Sequence, residues 1–267
     1  AAFRQLVANT LLSNVAGTFL WFALTFWVYL ETRSVVATGV IGGSFGLASA
    51  ALGPWFGTYV DHHRKHTAMA VATTVSAGCF GVAALVYAFV DTASLLQLDR
   101  PWFWLLAASS LAGSVAGMGR SVALSTCVTL LVPAERRDKA NGLVGTITGV
   151  SFAITSVFSG LAVGFAGMGW SLVITLVVTI AALVHLHTIH FTEPEPSPAE
   201  EGASRVDIRG AVGAIREVPG LWLLLALAAL NNLLGGVFMA LMDAYGLELV
   251  SVEAWGFLWG GLSLIMI

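Results

Sequence analysis

Residues 6–30, LVANTLLSNVAGTFLWFALTFWVYL, form an unbroken run without a charged side chain. At a rise of about 1.5 Å per residue, a helix over this run is long enough to cross a bilayer core of about 30 Å. Of the 267 residues, only 10% are charged and 57% are hydrophobic, whereas a soluble domain carries about 25% charged residues. The sequence therefore predicts an all-α protein whose main solvent is the bilayer.

Further apolar runs of similar length follow along the chain, and an eighth begins near Ala254. This last run reaches Ile267 without a polar stop, which predicts a chain that is cut or incompletely represented. Three parts result: a six-helix transmembrane half at 1–190, a cytoplasmic linker at 191–218, and the first one or two helices of a second half at 219–267. The complete spans are predicted at 6–30, 35–60, 67–90, 102–131, 142–168, 169–189 and 221–242.

Basic residues in short loops predict the orientation, because lysine and arginine near the end of a span are retained on the cytoplasmic side. Arg33 and Arg100 fall on one side of the predicted spans, and Arg120 lies inside a span. Most of the 12 basic residues fall on the other side: Arg4, Arg64, Lys65, Arg136, Arg137, Lys139, Arg205, Arg209 and Arg216. We therefore expect an integral plasma (inner) membrane protein with a cytoplasmic N-terminus.

The linker is the only long polar segment between predicted spans, and its first half is rich in proline and glutamate. Its second half, 206–218, places apolar and basic residues at helical spacing. This pattern fits an amphipathic helix on the membrane surface, and it fits a solvated connector equally well.

A shift of the sequence by about 218 residues aligns Asn14 with Asn232 and Gly17 with Gly235. The shift pairs the first span with the seventh and the second with the eighth. A parallel repeat about an axis along the membrane normal would produce this relation. In a chain with 29 glycines, chance is the alternative.

The stretch GTYVDHHRKH at 57–66 lies between the second and third predicted spans. It resembles the signature loop between helices two and three of the major facilitator superfamily, and seven spans with a long linker after the sixth resemble the same family. The resemblance implies a major-facilitator-like bundle that works as a transporter. Within the family the chain resembles the drug, macrolide and siderophore efflux branch.

The resemblance implies a gating role for Asp61, with Gly57 and Lys65 at matching positions and Arg64 where the family often has glycine. An aspartate near a helix end pairs with basic groups or helix N-termini when an inner gate is shut. Glycine permits close helix packing. The alternative is an ordinary basic turn that follows the positive-inside rule.

Arg120 lies 12 residues before Val132, about 18 Å along the helix from its cytoplasmic end. A central arginine costs about 2.5–3.5 kcal/mol on insertion scales, so it should face a cavity or a partner and not lipid. It is either a residue of the substrate pathway or an interhelical hydrogen-bond donor to span one. It does not occupy the position of the family's fourth-helix arginine, which Gly113 holds.

Spans one, four and seven line the central pathway in the family that the chain resembles. The polar and aromatic residues of these spans are the predicted pathway residues: Asn14, Thr18, Trp21, Thr25, Arg120, Asn231 and Asn232. For the asparagines, mutual bonding between helices without contact to substrate is the alternative.

Span five carries Gly145, Gly149, Ser156, Ser159 and Gly160, which is similar to the antiporter motif of exporters, with Ser156 where a proline is expected. At the far end of span seven, Asp243 is expected to lie on a solvated rim.

We therefore expect a transporter that moves a small amphipathic molecule, drug-like or siderophore-like, by alternating access, in the direction of export. A membrane sensor or assembly protein on the same scaffold is the alternative. The resemblance suggests protons as the coupling ion, although the first six spans contain no carboxylate to carry them. No motif indicates an enzyme, a cofactor, a metal site or a nucleic-acid partner, and we expect a monomer in the lipid bilayer.

Overall fold

The computed structural model describes residues 2–189 and 208–265, and all statements on structure below refer to them. This part of the chain is helical without strands. The helices are α1 (Ala2–Thr32), α2 (Val35–His62), α3 (Lys65–Phe89), α4 (Thr92–Leu95), α5 (Pro101–Leu131), α6 (Arg137–His187), α7 (Ile208–Glu217), α8 (Leu221–Leu249) and α9 (Val252–Ile265), with a 3-10 turn at Ala134–Arg136.

Short connections join α1 to α2, α2 to α3, α5 to α6 and α8 to α9, whereas residues 90–100, which include α4, connect α3 to α5. Between α1 and α2, Arg33 takes a positive φ of 52°, and the Ser34 hydroxyl accepts a hydrogen bond from the Ala37 amide at 3.1 Å. A serine cap of this kind satisfies one of the free amides at a helix start. We call the side where α1 begins and α2 ends the N face, and the other side the opposite face.

Helix α6 is a hairpin bent at Gly167, whose φ of 79° and ψ of 178° lie outside the helical region. Only glycine adopts such a positive φ without strain. Both ends of α6 lie at the N face: Arg137 donates to the Thr129 carbonyl at the end of α5, and Asn9 near the start of α1 donates to the Ala182 carbonyl. The arms, 137–166 and 168–187, correspond to the predicted fifth and sixth spans.

Five helical segments of the described chain are long and apolar enough to cross a membrane, with both arms of α6 included in one of them. The all-α membrane bundle predicted from composition is therefore confirmed. α7 lies inside the predicted amphipathic range, and residues 191–207 of the linker lie outside the described residues.

Helix α1 is central in the bundle, and its residues near the opposite face are almost all buried, including Phe22, Phe26 and Trp27. They form one apolar cluster with Phe103 of α5 and Leu172 of α6. A second, smaller cluster lies at the N face: Leu6, Val60, Ala68, Met69, Ala123, Leu124, Cys127, Leu186 and Ile189. Between these clusters α1 carries the polar residues that were predicted to line a pathway.

Helix α9 packs directly against the first arm of α6 through glycines on both helices. A Cβ added at Gly160 would lie 2.5 Å from the Val252 carbonyl oxygen, and one added at Gly256 would lie 2.6 Å from the Ser156 carbonyl oxygen. Small residues allow the two helix backbones to approach closely. Such packing stabilises helix association in a bilayer, where the hydrophobic effect does not drive helices together.

Candidate functional site

A cavity of about 450 Å³ lies between α1, α2, α5 and α6. Its volume falls within the range of about 300–1,000 Å³ that is typical of sites for small organic ligands. Within the described residues its wall carries no charged side chain. The wall consists of small, neutral polar and aromatic residues: Ser13, Asn14, Gly17, Thr18, Trp21, Gly42, Phe45, Gly46, Ser114, Gly117, Met118, Ser121, Thr148, Ser151 and Phe152.

Helical spacing brings three of the four predicted residues of α1 onto this wall, whereas Thr25 is buried and does not line it. Asn14, Thr18 and Trp21 follow one another at intervals of about one turn, so they share one face of the helix. All three line the cavity. Their contact with a substrate stays a prediction, but the structure places them together.

Aromatic rings form one side of the cavity. The rings of Trp21 and Phe45 lie 6.1 Å apart between centroids. Phe152 also lines the cavity, and its ring lies 4.9 Å edge to face from that of Phe22, which does not line it. Trp259 of α9 packs 6.1 Å from Phe152. Aromatic walls of this kind give a flat organic molecule a large contact area.

A smaller space of about 40 Å³ adjoins the cavity on its side toward the N face. The two spaces share Asn14, Ser121 and Thr148. Thr10 also lines the smaller space, and its buried hydroxyl oxygen has no hydrogen-bond partner. The polar lining of the cavity therefore continues along α1 toward the N face.

Arg120 does not lie on the wall of the cavity, although Met118 and Ser121 beside it in sequence do. Its side chain is fully buried and points between α1 and α3, where Nη1 donates to Thr73 Oγ1 at 2.9 Å and Nη2 donates to Asn9 Oδ1. This placement favours the interhelical alternative over a place in the pathway.

Asn9, which the sequence reasoning did not single out, connects Arg120 to α6. Its Nδ2 donates to the Ala182 carbonyl at 2.7 Å and lies 3.1 Å from His185 Nδ1. The side-chain carbonyl oxygen of Asn9 accepts a hydrogen bond from the guanidinium, and its amino group donates one to α6. One buried amide therefore joins three helices.

The predicted gating loop is a tight turn between α2 and α3. Lys65 Nζ donates to the carbonyls of Val60, Asp61 and His63, and in this way it caps the carbonyl end of α2. The side chains of Asp61 and Arg64 are exposed.

Gly57 does not serve close packing in this conformation. A Cβ added there would meet no atom within 4 Å among the described residues. A role for Gly57, together with the gating role of the loop, stays a prediction for another conformation.

Of the two predicted pathway asparagines of α8, the structure describes the side chain of one. Asn231 is exposed, and the side chain of Asn232 lies outside the described residues. Their predicted place in the pathway and the predicted relation of Asn232 to Asn14 are therefore untested.

Asp243 does not lie on a solvated rim, so this expectation was wrong. Its side chain is 1% exposed, and the indole nitrogens of Trp255 and Trp259 donate to its Oδ1 at 3.0 Å and 2.7 Å. The two tryptophans lie one turn apart on α9, which folds back over α8. Their spacing of four residues directly after an acidic helix end is the signal that could have revealed the contact.

Polar contacts also join α1 to α8 at the opposite face. Tyr29 Oη donates to Glu248 Oε1 at 2.7 Å, and Arg33 Nη1 donates to the same oxygen at 3.2 Å. Together with the glycine contact of α6 and α9, these bonds close the helices over the aromatic end of the cavity.

Long apolar helices packed around a central cavity define an integral, polytopic membrane protein. The family model of the Major Facilitator Superfamily matches residues 6–267, and the chain belongs to this family. Its members are membrane transporters. Searches of the curated proteins and of the solved structures found no match.

Proposed function

We propose that this protein exports a small amphipathic organic molecule, drug-like or siderophore-like, across the plasma (inner) membrane by alternating access. In this proposal the N face is cytoplasmic, as the distribution of basic loop residues predicts. The observation that carries the proposal is the neutral cavity of about 450 Å³, with aromatic rings on one side and hydroxyl and amide groups on another. Such a wall suits a molecule with both an apolar and a polar part.

The contacts around the cavity support a conformation that faces the cytoplasm. α1 and α6 meet α8 and α9 near the opposite face, through Glu248 and through Gly160 with Gly256. The N-face end of α8, residues 222–231, is exposed throughout. Alternating access requires a second conformation in which the opposite face opens and the N face closes.

Asp61→Asn is expected to lower substrate flux about tenfold, equivalent to about 1.4 kcal/mol. In this proposal the exposed carboxylate of Asp61 has a partner only when the N face closes, because it then pairs with basic groups or with a helix N-terminus. Flux of a panel of neutral and charged amphipathic dyes is measured with the full-length protein in proteoliposomes. Asp138→Asn, an exposed acid at the same face, is the control, and equal flux in both variants would contradict the gating role.

Asn14→Leu is expected to weaken substrate binding about fivefold, because one neutral hydrogen bond contributes about 1 kcal/mol. Asn14 lines both the cavity and the smaller space beside it. The concentration dependence of flux measures the change. Asn141→Leu, an exposed site on α6, should leave it unaltered. A panel that yields no flux at all in the unmodified protein would instead count against transport of this substrate class.

A further inference from the structure

Trp21 carries an indole N–H that finds no acceptor among the described residues. Its ring lines the cavity, and its Nε1 atom is buried without a hydrogen-bond partner. The indole nitrogens of Trp255 and Trp259 both donate to Asp243, as buried tryptophans usually do. A buried donor without a partner costs free energy, because it has lost its bonds to water and gained none in return. A ligand in the cavity could supply the missing partner of Trp21.

Three hydroxyl groups of the same wall differ from Trp21, because their hydrogens are already used within the protein. Ser114, Thr148 and Ser151 each donate to a backbone carbonyl of the preceding turn of their own helix, at 3.1 Å, 3.0 Å and 2.7 Å. A hydroxyl group has one hydrogen to donate. These three groups are therefore satisfied without a ligand, whereas the Trp21 N–H is not.

The surroundings of Trp21 leave room for its ring to turn. Gly17 of α1 and Gly46 of α2 line the same cavity, and a Cβ added at either would meet no atom within 4 Å among the described residues. Because Nε1 is shielded in this conformation, its N–H reaches the cavity only when the ring turns. Rotation about the side-chain bonds achieves this without a change of the backbone.

The wall of the cavity also restricts the charge and the shape of its ligand. Within the described residues it carries no charged side chain. A molecule with a net charge would lose its hydration there without gaining an opposite charge, which is costly. The rings of Trp21, Phe45 and Phe152 instead offer contact to a flat apolar surface. The wall therefore favours an uncharged, flat molecule.

We propose that the cavity selects uncharged, flat aromatic molecules that carry a carbonyl oxygen, and that the Trp21 N–H donates a hydrogen bond to this oxygen. The inference rests on the proposed function, because it names the class of substrate that the export cavity takes. Trp21 is then a specificity-determining residue: the bond to the ligand removes the cost of its unpaired donor. A molecule of the same shape without the oxygen leaves that cost in place.

The test compares two probes that differ at one group. 9-Fluorenone and fluorene are both flat, uncharged and tricyclic, and the first has a carbonyl group where the second has a methylene group. Their binding to the full-length protein in lipid nanodiscs is measured by equilibrium dialysis, and empty nanodiscs correct for partition into lipid. We expect fluorenone to bind about tenfold more tightly than fluorene, equivalent to about 1.4 kcal/mol.

Trp21→Phe keeps an aromatic ring and removes the N–H, so the preference for fluorenone should disappear. Trp55→Phe, at an exposed tryptophan of α2 outside the cavity wall, is the matched control and should retain the preference. The indole ¹⁵N–¹H spectrum of the nine tryptophans gives a second readout, in which the Trp21 signal is the one missing from Trp21→Phe. Fluorenone should move the proton of this signal downfield, as a new hydrogen bond does, and fluorene should not.

Equal affinity of the unmodified protein for the two probes would overturn the proposal, and this comparison stands even if Trp21→Phe does not fold. A preference that persists in Trp21→Phe would also overturn it, since another donor such as Asn14 would then hold the oxygen. Binding of neither probe would show that the substrate class is wrong. Export is tested separately by flux of the dyes. Flux without a preference for fluorenone refutes only this inference, and the preference without flux refutes only export.

Discussion

Asn9→Leu is expected to destabilise the protein by about 3–5 kcal/mol, the cost of leaving a buried charge without its partner. Asn9 Oδ1 accepts from Arg120 Nη2, and both side chains are fully buried. Without Asn9, Thr73 is the remaining described side-chain acceptor of the guanidinium. The substituted side chain has a similar size, so the loss reports on hydrogen bonding more than on packing. The free energy of unfolding of the purified protein in mixed micelles measures the effect.

A second variant distinguishes two explanations for a loss of stability: an unpaired buried charge and an altered contact between helices. Arg120→Met removes the charge and leaves the Asn9 carbonyl oxygen unsatisfied, at a cost of about 1–3 kcal/mol. In the double variant both groups are apolar, so the two losses should not add and part of the stability should return. Arg100→Met, an exposed arginine at the start of α5, is the control and should change stability by less than about 0.5 kcal/mol. Additive losses in the double variant would show that the two residues act independently.

The long helices were predictable because a bilayer demands about 20 apolar residues for each span. α2, Val35–His62, was predicted at 35–60, and α5, Pro101–Leu131, at 102–131. Even the bend of α6 at Gly167 falls within two residues of the predicted boundary. Composition sufficed here, since lipid excludes unsatisfied backbone and leaves helices as the solution for an apolar run.

The partners of buried polar groups were not predictable in the same way. α1 is apolar almost all round, so its sequence does not show which side faces α5 and which faces the cavity. Asn14 was singled out and Asn9 was not, although Asn9 holds the arginine. Asp243 was placed at a rim from its position in α8, whereas its burial depends on α9 folding back over it. In both cases the decisive contact comes from another helix.

The glycine contact between α6 and α9 shows how a feature visible in the sequence gains its meaning from the structure. Gly160 was noted as one of several small residues in the fifth span, where they resemble an exporter motif. The structure adds its partner, since Gly160 faces the backbone of α9 at Val252 and Gly256. Small residues in a span predict close packing. Which helix approaches them is fixed by the fold.

Gly160→Ala is therefore expected to abolish closure of the opposite face and to lower flux at least about tenfold, or about 1.4 kcal/mol. The added Cβ would lie 2.5 Å from the Val252 carbonyl oxygen and 3.3 Å from the Gly256 Cα. Both neighbours are backbone atoms of α9, so no side chain can rotate away and the helix itself must move. Spin labels at Val36 on α2 and Leu249 on α8, both exposed near the opposite face, give the distance across this face by electron paramagnetic resonance, and flux is measured beside it.

Gly142→Ala on the same arm of α6 is the matched control, because a Cβ there meets nothing within 4 Å. Alanine favours a helix over glycine by about 1 kcal/mol, and both variants share this gain. The difference between them therefore isolates the contact with α9. If both variants transport equally and give the same distance, the approach of α6 and α9 is not what holds the opposite face closed. A loss confined to Gly160→Ala would identify this glycine contact as part of the barrier that alternating access must open.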